Sequence, residues 1–93
     1  MTGDFTDNTE RSRFERIENG HLVYATYRIQ EGQMLIPYVE AAVPLRGTGA
    51  ADRLMEQVAG AARERSLKVV PLCGYAAMWF RRHKKHHDLL GQS

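Results

Sequence analysis

A glycine-rich turn beside an arginine is the feature of this sequence that indicates chemistry most directly. The stretch RGTGAA covers residues 46–51 and stands at the start of a helical pattern. A helix that begins in this way exposes unpaired backbone N–H groups at the positive end of its dipole, where phosphates and other anions bind. Gly47 and Gly49 permit close approach and positive φ, and Arg46 adds a planar cation. The turn predicts a phosphate site or, with similar weight, a plain helix cap.

Two common phosphate-binding motifs are absent from the chain. A P-loop needs a Gly-Lys pair followed by serine or threonine, and no such triplet occurs. A dinucleotide-binding turn needs G-x-G-x-x-G, and Asp52 stands where the third glycine would be. A Rossmann turn would also follow parallel strands, whereas the residues before Arg46 predict an antiparallel meander. Neither a P-loop nor a Rossmann unit is predicted.

Three strand patterns precede the turn. Residues 13–18 alternate between apolar and polar types, and Asn19-Gly20 is the strongest short hairpin signal. Residues 21–29 are rich in β-branched and aromatic types, and residues 34–42 form a third apolar run. Pro37 lies inside that run and cannot donate to a ladder, so an edge, a bulge or a local break is expected there.

A helix, a strand and a second helix follow the turn. Apolar residues recur at helical spacing at Ala51, Leu54, Met55, Val58, Ala59 and Ala62. The residues predicted to be solvated on the other face are Asp52, Arg53, Glu56, Arg63 and Glu64. Residues 68–73 indicate a short buried strand, and residues 75–85 a last helix. The order β-β-β-α-β-α predicts an α+β fold in which the fourth strand returns beside the third.

Length and composition predict one soluble domain. The 93 residues are 43% hydrophobic and 26% charged, as in ordinary globular proteins. No apolar run approaches the ~20 residues of a membrane span, and the first residues are too polar for a signal peptide. The single cysteine fits a reducing compartment, so a cytoplasmic location is expected. We expect a flexible segment over residues 1–12, the domain over 13–90 and a tail over 91–93.

Charge is divided unevenly along the chain. Residues 1–40 contain seven acidic and four basic side chains, and residues 41–93 contain four acidic and nine basic ones. An anionic partner is therefore expected to bind the C-terminal half.

Arg46, Gly49 and Ala51 form the pattern R-x-x-G-x-A, which resembles the acetyl-CoA pyrophosphate loop of the GNAT acetyltransferase superfamily, Q/R-x-x-G-x-G/A. The resemblance extends from about residue 20 to residue 90, and its densest parts are LRGTG and LKVVPLC. It is closest to the small single-domain members of the superfamily. It implies a minimal GNAT-like fold, in which the parallel strand splays from its neighbour and the pantetheine arm of the cofactor pairs with the exposed strand edge.

The resemblance also implies which residues contact acetyl-CoA. They are Val43, Arg46, Gly47, Thr48, Gly49, Ala50 and Ala51. The two strands that splay would be residues 34–42 and 68–73. The short chain contains no recognisable insert for binding the acceptor.

Two residues compete for the chemical role that the resemblance implies. Glu40 ends a strand and is expected near the thioester as a general base, with an exposed strand-end glutamate as the alternative. Cys73 closes the fourth strand and is expected to line the site, either as an inert buried side chain or as a nucleophile. No cation or helix N-terminus that would activate Cys73 is apparent in the sequence. His83 could be its basic partner only if the last helix folded back.

The last helix and its basic end allow further interpretations. Tyr75, Trp79 and Arg82 fall at helical spacing and favour core packing. Related enzymes place a tyrosine on this helix to protonate the departing thiolate; Trp79 occupies its place here and cannot do so, and Tyr75 is a weak substitute. His83, His86 and His87 have a metal-compatible spacing without further ligands, so no metal is predicted. Residues 81–90 are predicted to form a solvated basic tail, with nucleic-acid binding a weaker alternative.

The sequence therefore predicts an acetyl-CoA-dependent N-acetyltransferase that acts on a primary amine of a small molecule or a protein. The alternative from another class is a GNAT-like protein that binds CoA, or a partner, without turnover. Neither a membrane nor a metal is expected as a partner.

Overall fold

The structure, a computed structural model, describes residues 4–91. These residues form a mixed five-stranded sheet with two α-helices packed on one face. The strands are β1 (Asp4–Asn8), β2 (Arg13–Glu18), β3 (His21–Gln30), β4 (Gln33–Ala41) and β5 (Lys68–Pro71). The helices are α1 (Ala50–Glu64) and α2 (Gly74–Arg82), and 3₁₀ helices cover Val43–Leu45 and Lys84–Leu89. The α+β class and the GNAT-like order of elements are confirmed. No helix in residues 4–91 has the length and apolarity needed to span a membrane.

Tight hairpins connect the central strands of the meander. Asn19 and Gly20 have φ values of 51° and 77°, and Glu31 and Gly32 have φ values of 52° and 77°. Two successive positive φ values are typical of the type I′ turn, whose twist matches that of the strands it joins. The hairpin predicted from Asn19-Gly20 is confirmed.

The N-terminal segment differs from the expectation. Residues 4–8, expected to be flexible, form the edge strand β1 and pair with β2. The Phe5 ring stacks on Phe14 at 5.6 Å, and the Tyr27 hydroxyl donates to Asp7 at 2.6 Å. Burial raises the pKa of Tyr27 to about 12, with a further contribution from Asp7. These contacts, together with the ion pair of Asp7 with Arg65 at 2.9 Å, hold an otherwise polar segment in the sheet; residues 1–3 lie outside the described part.

Pro37 lies in a β-bulge, one of the outcomes predicted for it. Thr26 pairs with Tyr38, but Arg28 pairs with Leu35, so Ile36 and Pro37 together oppose Tyr27. The Tyr27 N–H donates instead to the Ser12 carbonyl at 2.9 Å. The bulge accommodates a residue without an N–H in the middle of a paired strand.

β5 runs parallel to β4 and separates from it as predicted. The parallel register covers Gln33–Ile36 against Lys68–Pro71. The N–H groups of Leu72 and Cys73 then both donate to the Ile36 carbonyl, at 2.9 and 3.3 Å. Beyond Ile36 the remaining residues of β4 pair only with β3. The two strands therefore diverge and leave one edge of β4 open.

Helix α1 packs on the sheet through the predicted apolar face. Its buried residues are Ala50, Leu54, Met55, Val58, Ala59, Ala61 and Ala62. They share one core with Val23, Ala25, Met34 and Ile36 of the sheet and with Trp79 and Phe80 of α2. Asp52 and Glu56, expected to be solvated, are half-buried because α2 and the following segment pack beside them.

The C-terminal segment is not the solvated basic tail that was predicted. Helix α2 ends at Arg82 rather than near residue 85, and the 3₁₀ helix that follows folds back on the core. Leu89 is only 5% exposed, and the Gly91 N–H donates to the Val69 carbonyl at 2.8 Å. Asp88 pairs with Arg63 at 2.6 Å. The buried Leu89 is the apolar anchor of this segment, and the basic composition of the segment did not indicate it. Residues 92–93 lie outside the described part.

Truncation of the anchor tests this packing. We expect Leu89→Ala to lower the free energy of unfolding by about 2–5 kcal/mol, because it removes a buried side chain and leaves a cavity. Leu90→Ala is the matched control: Leu90 is 37% exposed, and its truncation should cost about 0.5 kcal/mol. Urea unfolding measures both. Equal and negligible effects would mean that the segment does not pack on the core.

An ion network joins β2 to the first turns of α1. Arg16 is 6% exposed and donates to Glu18 at 2.5 Å and to Gln57 at 2.7 Å. Arg53 donates to both carboxylate oxygens of Glu18, at 2.7 and 2.8 Å, and to the Thr48 carbonyl at 3.1 Å. Hydrogen bonds from Arg53 and then Arg16 lower the pKa of Glu18 to about 2. The network fixes the loop that precedes α1.

The low pKa of Glu18 predicts a pH-dependent contribution to stability. The folded-state pKa lies below the ordinary value of 4.5, so the contribution is complete above that pH and is lost as the pH falls toward about 2. Glu18→Gln should therefore be less stable than the wild type by roughly 1–2 kcal/mol at pH 7, and this difference should narrow below pH 4.5. Urea unfolding at several pH values measures it, with the exposed Glu64→Gln as control. A difference that is independent of pH would contradict the assignment.

Candidate functional site

A cavity of about 370 Å³ lies where the open edge of β4 meets the loop before α1 and the start of α2. Its lining residues are Val39, Ala41, Leu45, Arg46, Gly47, Gly49, Ala50, Ala51, Asp52 and Tyr75. Five of the seven residues predicted to contact the cofactor are among them. Val43, which is 70% exposed, and Thr48 are not.

The two glycines of the loop adopt conformations that other residues resist. Gly47 has φ 79°, and Gly49 has φ 88° and caps the N-terminus of α1. A Cβ on Gly49 would come within 3.0 Å of Nη1 of Arg53, the arginine of the ion network. Both positions therefore need glycine for backbone reasons, and they turn the main chain so that it borders the cavity.

Several N–H groups of this loop are available to a ligand. The Thr48 hydroxyl accepts from the Ala50 N–H at 3.3 Å and donates to the Leu45 carbonyl at 2.6 Å. The Thr48 side chain thus bonds the first N–H of the helix rather than lining the cavity. The loop N–H groups that have no acceptor among residues 4–91 belong to Gly47, Gly49, Ala51 and Asp52. They lie at the positive end of a 15-residue helix, an arrangement that binds anions.

Arg46 places its guanidinium beside these N–H groups. Its Nε donates to the Ala41 carbonyl at 3.2 Å, and its Nη2 lies 3.8 Å from Glu40. The side chain is 61% exposed, so its other N–H groups can reach a ligand in the cavity. Backbone donors and a fixed cation together fit a phosphate group.

The open edge of β4 supplies a second set of backbone groups without a strand partner, of which only the Ala41 carbonyl has another partner among the described residues, Arg46 Nε. The Ala42 N–H donates to the Leu22 carbonyl at 2.9 Å. In an antiparallel ladder the bonded direction alternates, so the N–H and C=O groups of Val39 and Ala41 point away from β3 into the gap left by β5. Both residues line the cavity. The gap can accept an extended ligand that pairs with the strand edge.

Glu40 lies on the opposite face of β4 from the cavity lining, because successive residues of a strand alternate between faces. It pairs with Tyr24 of β3, accepts a hydrogen bond from the Tyr38 hydroxyl and is 39% exposed. The hydrogen bond to Glu40 raises the pKa of Tyr38. Glu40 is thus held in place beside the gap, on the sheet face that neither α1 nor α2 covers.

The sequence predicted that Cys73 closes the strand β5, but it does not. The strand ends at Pro71, and Cys73 caps the N-terminus of α2, where its Sγ accepts from the Ala76 N–H at 3.4 Å. A helix N-terminus, not apparent in the sequence, therefore faces this sulfur. His83 caps the other end of α2, roughly 15 Å away at 1.5 Å per residue. His83 is not a partner of Cys73.

Tyr75 lines the cavity from the first turn of α2. Burial raises the pKa of its phenol, and the nearby Asp52 carboxylate raises it further. The hydroxyl is therefore protonated near neutral pH, as in an ordinary tyrosine. Trp79 is 2% exposed, which fits the core-packing interpretation.

Asp52 is a site residue that the sequence did not reveal. Its Oδ1 accepts from the Trp79 indole N–H at 2.7 Å and lies 3.2 Å from His83 Nε2. Helical periodicity placed Asp52 on the solvated face, but a buried tryptophan needs an acceptor for its N–H. That requirement was the signal in the sequence, although it does not name the acceptor.

The three histidines at the C-terminal end do not form one ligand set. His83 Nδ1 donates to the Trp79 carbonyl at 2.7 Å, and His87 Nε2 donates to the Phe80 carbonyl at 2.8 Å. His86 Nε2 donates to Glu56 at 2.9 Å. Burial raises the pKa of Glu56, but hydrogen bonds from His86 and Lys85 outweigh it and hold the pKa below its ordinary value.

A comparison with protein families identifies the chain. The model of the GCN5-related N-acetyl-transferase family matches residues 13–89, most of the sequence, including the loop before α1 and the diverging strands. No individual curated protein matches the chain at a significant level. The chain belongs to the GCN5-related N-acetyl-transferase family and has the acetyltransferase-type function of that family.

Proposed function

We propose that this protein transfers the acetyl group of acetyl-CoA to a primary amine. The observation that carries the proposal is the junction of the loop before α1 with the open edge of β4. Free N–H groups and Arg46 fit a pyrophosphate, and an unpaired strand edge leads away from them. Family membership supports the same chemistry.

The residues present fit CoA in two parts. The N–H groups of Gly47, Gly49 and Ala51, with Arg46, would hold the pyrophosphate at the helix N-terminus. Backbone groups of Val39 and Ala41 would pair with the amides of the pantetheine arm, as an added strand would. The thioester then lies in the gap, between Glu40 on one side and Tyr75 on the other.

Glu40 is the proposed general base. The amine approaches from the sheet face that neither helix covers and attacks the thioester carbonyl carbon, so that a C–N bond forms and the C–S bond breaks. Glu40, directly or through one water, takes the proton that the amine nitrogen loses. Tyr75 returns a proton to the departing thiolate. Positioning of the amine against the thioester contributes to the rate enhancement as well.

Cys73 offers a competing two-step route through an acetyl-enzyme. Its Sγ stands at the N-terminus of α2, close to where the strands diverge. Helix N-termini favour thiolates in other proteins. However, Cys73 is not among the residues that line the cavity, and direct transfer needs no nucleophile on the protein. We therefore favour the direct route.

Removal of the Arg46 guanidinium tests the cofactor site. We expect Arg46→Ala to weaken CoA binding by about 10–100-fold, because one charge-assisted contact contributes roughly 1.5–3 kcal/mol. The free energy of unfolding should change little, since the side chain is 61% exposed. Calorimetric titration with CoA measures the affinity. Arg81→Ala, which removes an exposed arginine from the end of α2, is the control and should bind CoA normally. Equal affinities for Arg46→Ala and wild type would contradict the assignment of the loop.

Substitution of the two chemical candidates separates direct from covalent transfer. We expect Glu40→Gln to lower the rate by about 10²–10⁴-fold, the usual effect of losing a general base, because glutamine still accepts from Tyr38 but cannot take a proton. Cys73→Ala should have a much smaller effect. Product formation from a panel of amines, followed by mass spectrometry, gives both rates.

The intact mass of the protein provides the deciding control. After incubation with acetyl-CoA and no acceptor, the direct route predicts an unmodified chain. A stoichiometric acetyl group on Cys73 that a later amine removes would assign the nucleophile to Cys73 instead. CoA binding without product from any amine would favour the alternative of a protein that binds CoA without turnover.

A further inference from the structure

Asp52, Glu56 and His83 bring three potential metal ligands together beside the cavity. One ligand atom of each lies within 4.8 Å of those of the other two. Asp52 and Glu56 are four residues apart on α1 and therefore share one face of the helix. His83 comes from the end of α2. All three side chains are half-buried, so the cluster is shaped by the packing of two helices.

The hydrogen bonds of His83 point its second nitrogen at the carboxylate. Nδ1 lies 2.7 Å from the Trp79 carbonyl, which can only accept, so Nδ1 carries a proton. In the neutral ring Nε2 then presents a lone pair, and it faces Asp52 Oδ1 at 3.2 Å. A lone pair next to a carboxylate is unfavourable unless a proton or a cation lies between them. Metal-bound histidines are oriented in the same way, with the other ring nitrogen donating to a carbonyl.

The carboxylates are also held in place by other partners. Asp52 accepts from Trp79 Nε1 at 2.7 Å, and Glu56 accepts from His86 Nε2 at 2.9 Å. The Trp79 and His83 rings stack at 4.0 Å. These contacts restrict both the carboxylates and the imidazole plane.

We propose that Asp52, Glu56 and His83 bind a first-row divalent cation of the Zn²⁺ or Co²⁺ type. One imidazole nitrogen and two carboxylate oxygens suit these ions, whereas Mg²⁺ and Ca²⁺ prefer oxygen ligands alone. Water would complete the coordination. The cation would displace the Lys85 ammonium, which is 3.4 Å from Glu56 and 67% exposed.

The cation would join the start of α1 to the end of α2. Asp52 also lines the cavity, so the bound charge would offset a carboxylate next to the anion-binding loop. The site does not depend on acetyl transfer and can be tested without acetyl-CoA.

Calorimetric titration of the untagged, chelator-treated protein with Zn²⁺ tests the site. We expect one ion per chain and a higher melting temperature. Trp79 is the single tryptophan of the chain and stacks on His83, so Co²⁺ should quench its fluorescence with the same stoichiometry. Asp52→Asn and Glu56→Gln retain the acceptors for Trp79 and His86 but remove one anionic ligand each. Each should weaken Zn²⁺ binding by more than about 100-fold, since even an outer-shell partner contributes about 10–100-fold.

His87→Ala is the matched control, because His87 lies in the same segment but bonds to the Phe80 carbonyl; it should bind Zn²⁺ as the wild type does. Circular dichroism of the metal-free variants verifies their fold. The proposal is overturned if the wild type binds no Zn²⁺. It is equally overturned if Asp52→Asn and Glu56→Gln both bind as tightly as the wild type, which would place any binding on the other histidines.

Discussion

The parallel pairing of β4 with β5 ends at Ile36, and the rest of the site depends on this separation. Two consecutive N–H groups, of Leu72 and Cys73, converge on the Ile36 carbonyl, and the chain then enters α2 without further pairing. The separation leaves backbone groups of Val39 and Ala41 without a strand partner. Unpaired edges attract an added strand, and here a ligand can supply it.

The loop before α1 lies next to this open edge and has unpaired N–H groups of its own. A helix start leaves N–H groups that need acceptors, and Thr48 satisfies only that of Ala50. The network of Glu18 with Arg53 fixes this loop against β2. Arg46 bridges the two features through the Ala41 carbonyl. One rigid corner therefore offers donors for a phosphate and an edge for an extended chain, which is what binding of CoA needs.

The sequence predicted those parts of the fold that are determined by neighbouring residues alone. Asn19-Gly20 determines its turn through positive φ, Pro37 forces an irregular pairing, and the apolar period of α1 selects its buried face. Segments held by tertiary contacts with distant residues were missed. Phe5 packs β1 against the sheet through Phe14, and Leu89 packs a basic segment against the core. Neither residue belongs to a periodic pattern, so composition alone assigned both segments to solvent.

The part of the candidate site that could be predicted from the sequence is the part in which backbone groups are expected to bind the ligand. The glycine positions and Arg46 identify the loop, because conformational freedom and charge are encoded residue by residue. Asp52 was missed, since its role comes from the approach of Trp79 and His83 on another helix. The capping role of Cys73 was missed for a similar reason: the strand ended two residues early.

Amide hydrogen exchange with and without CoA tests most directly whether the open edge of β4 and the loop before α1 form one cofactor site. We expect CoA to slow exchange at Val39 and Ala41 and, in parallel, at Gly47, Gly49 and Ala51, because each of these N–H groups gains an acceptor. Amides of β1 and β2 provide the internal reference. Protection confined to residues outside the β4 edge and the loop, or no protection at saturating CoA, would contradict this assignment.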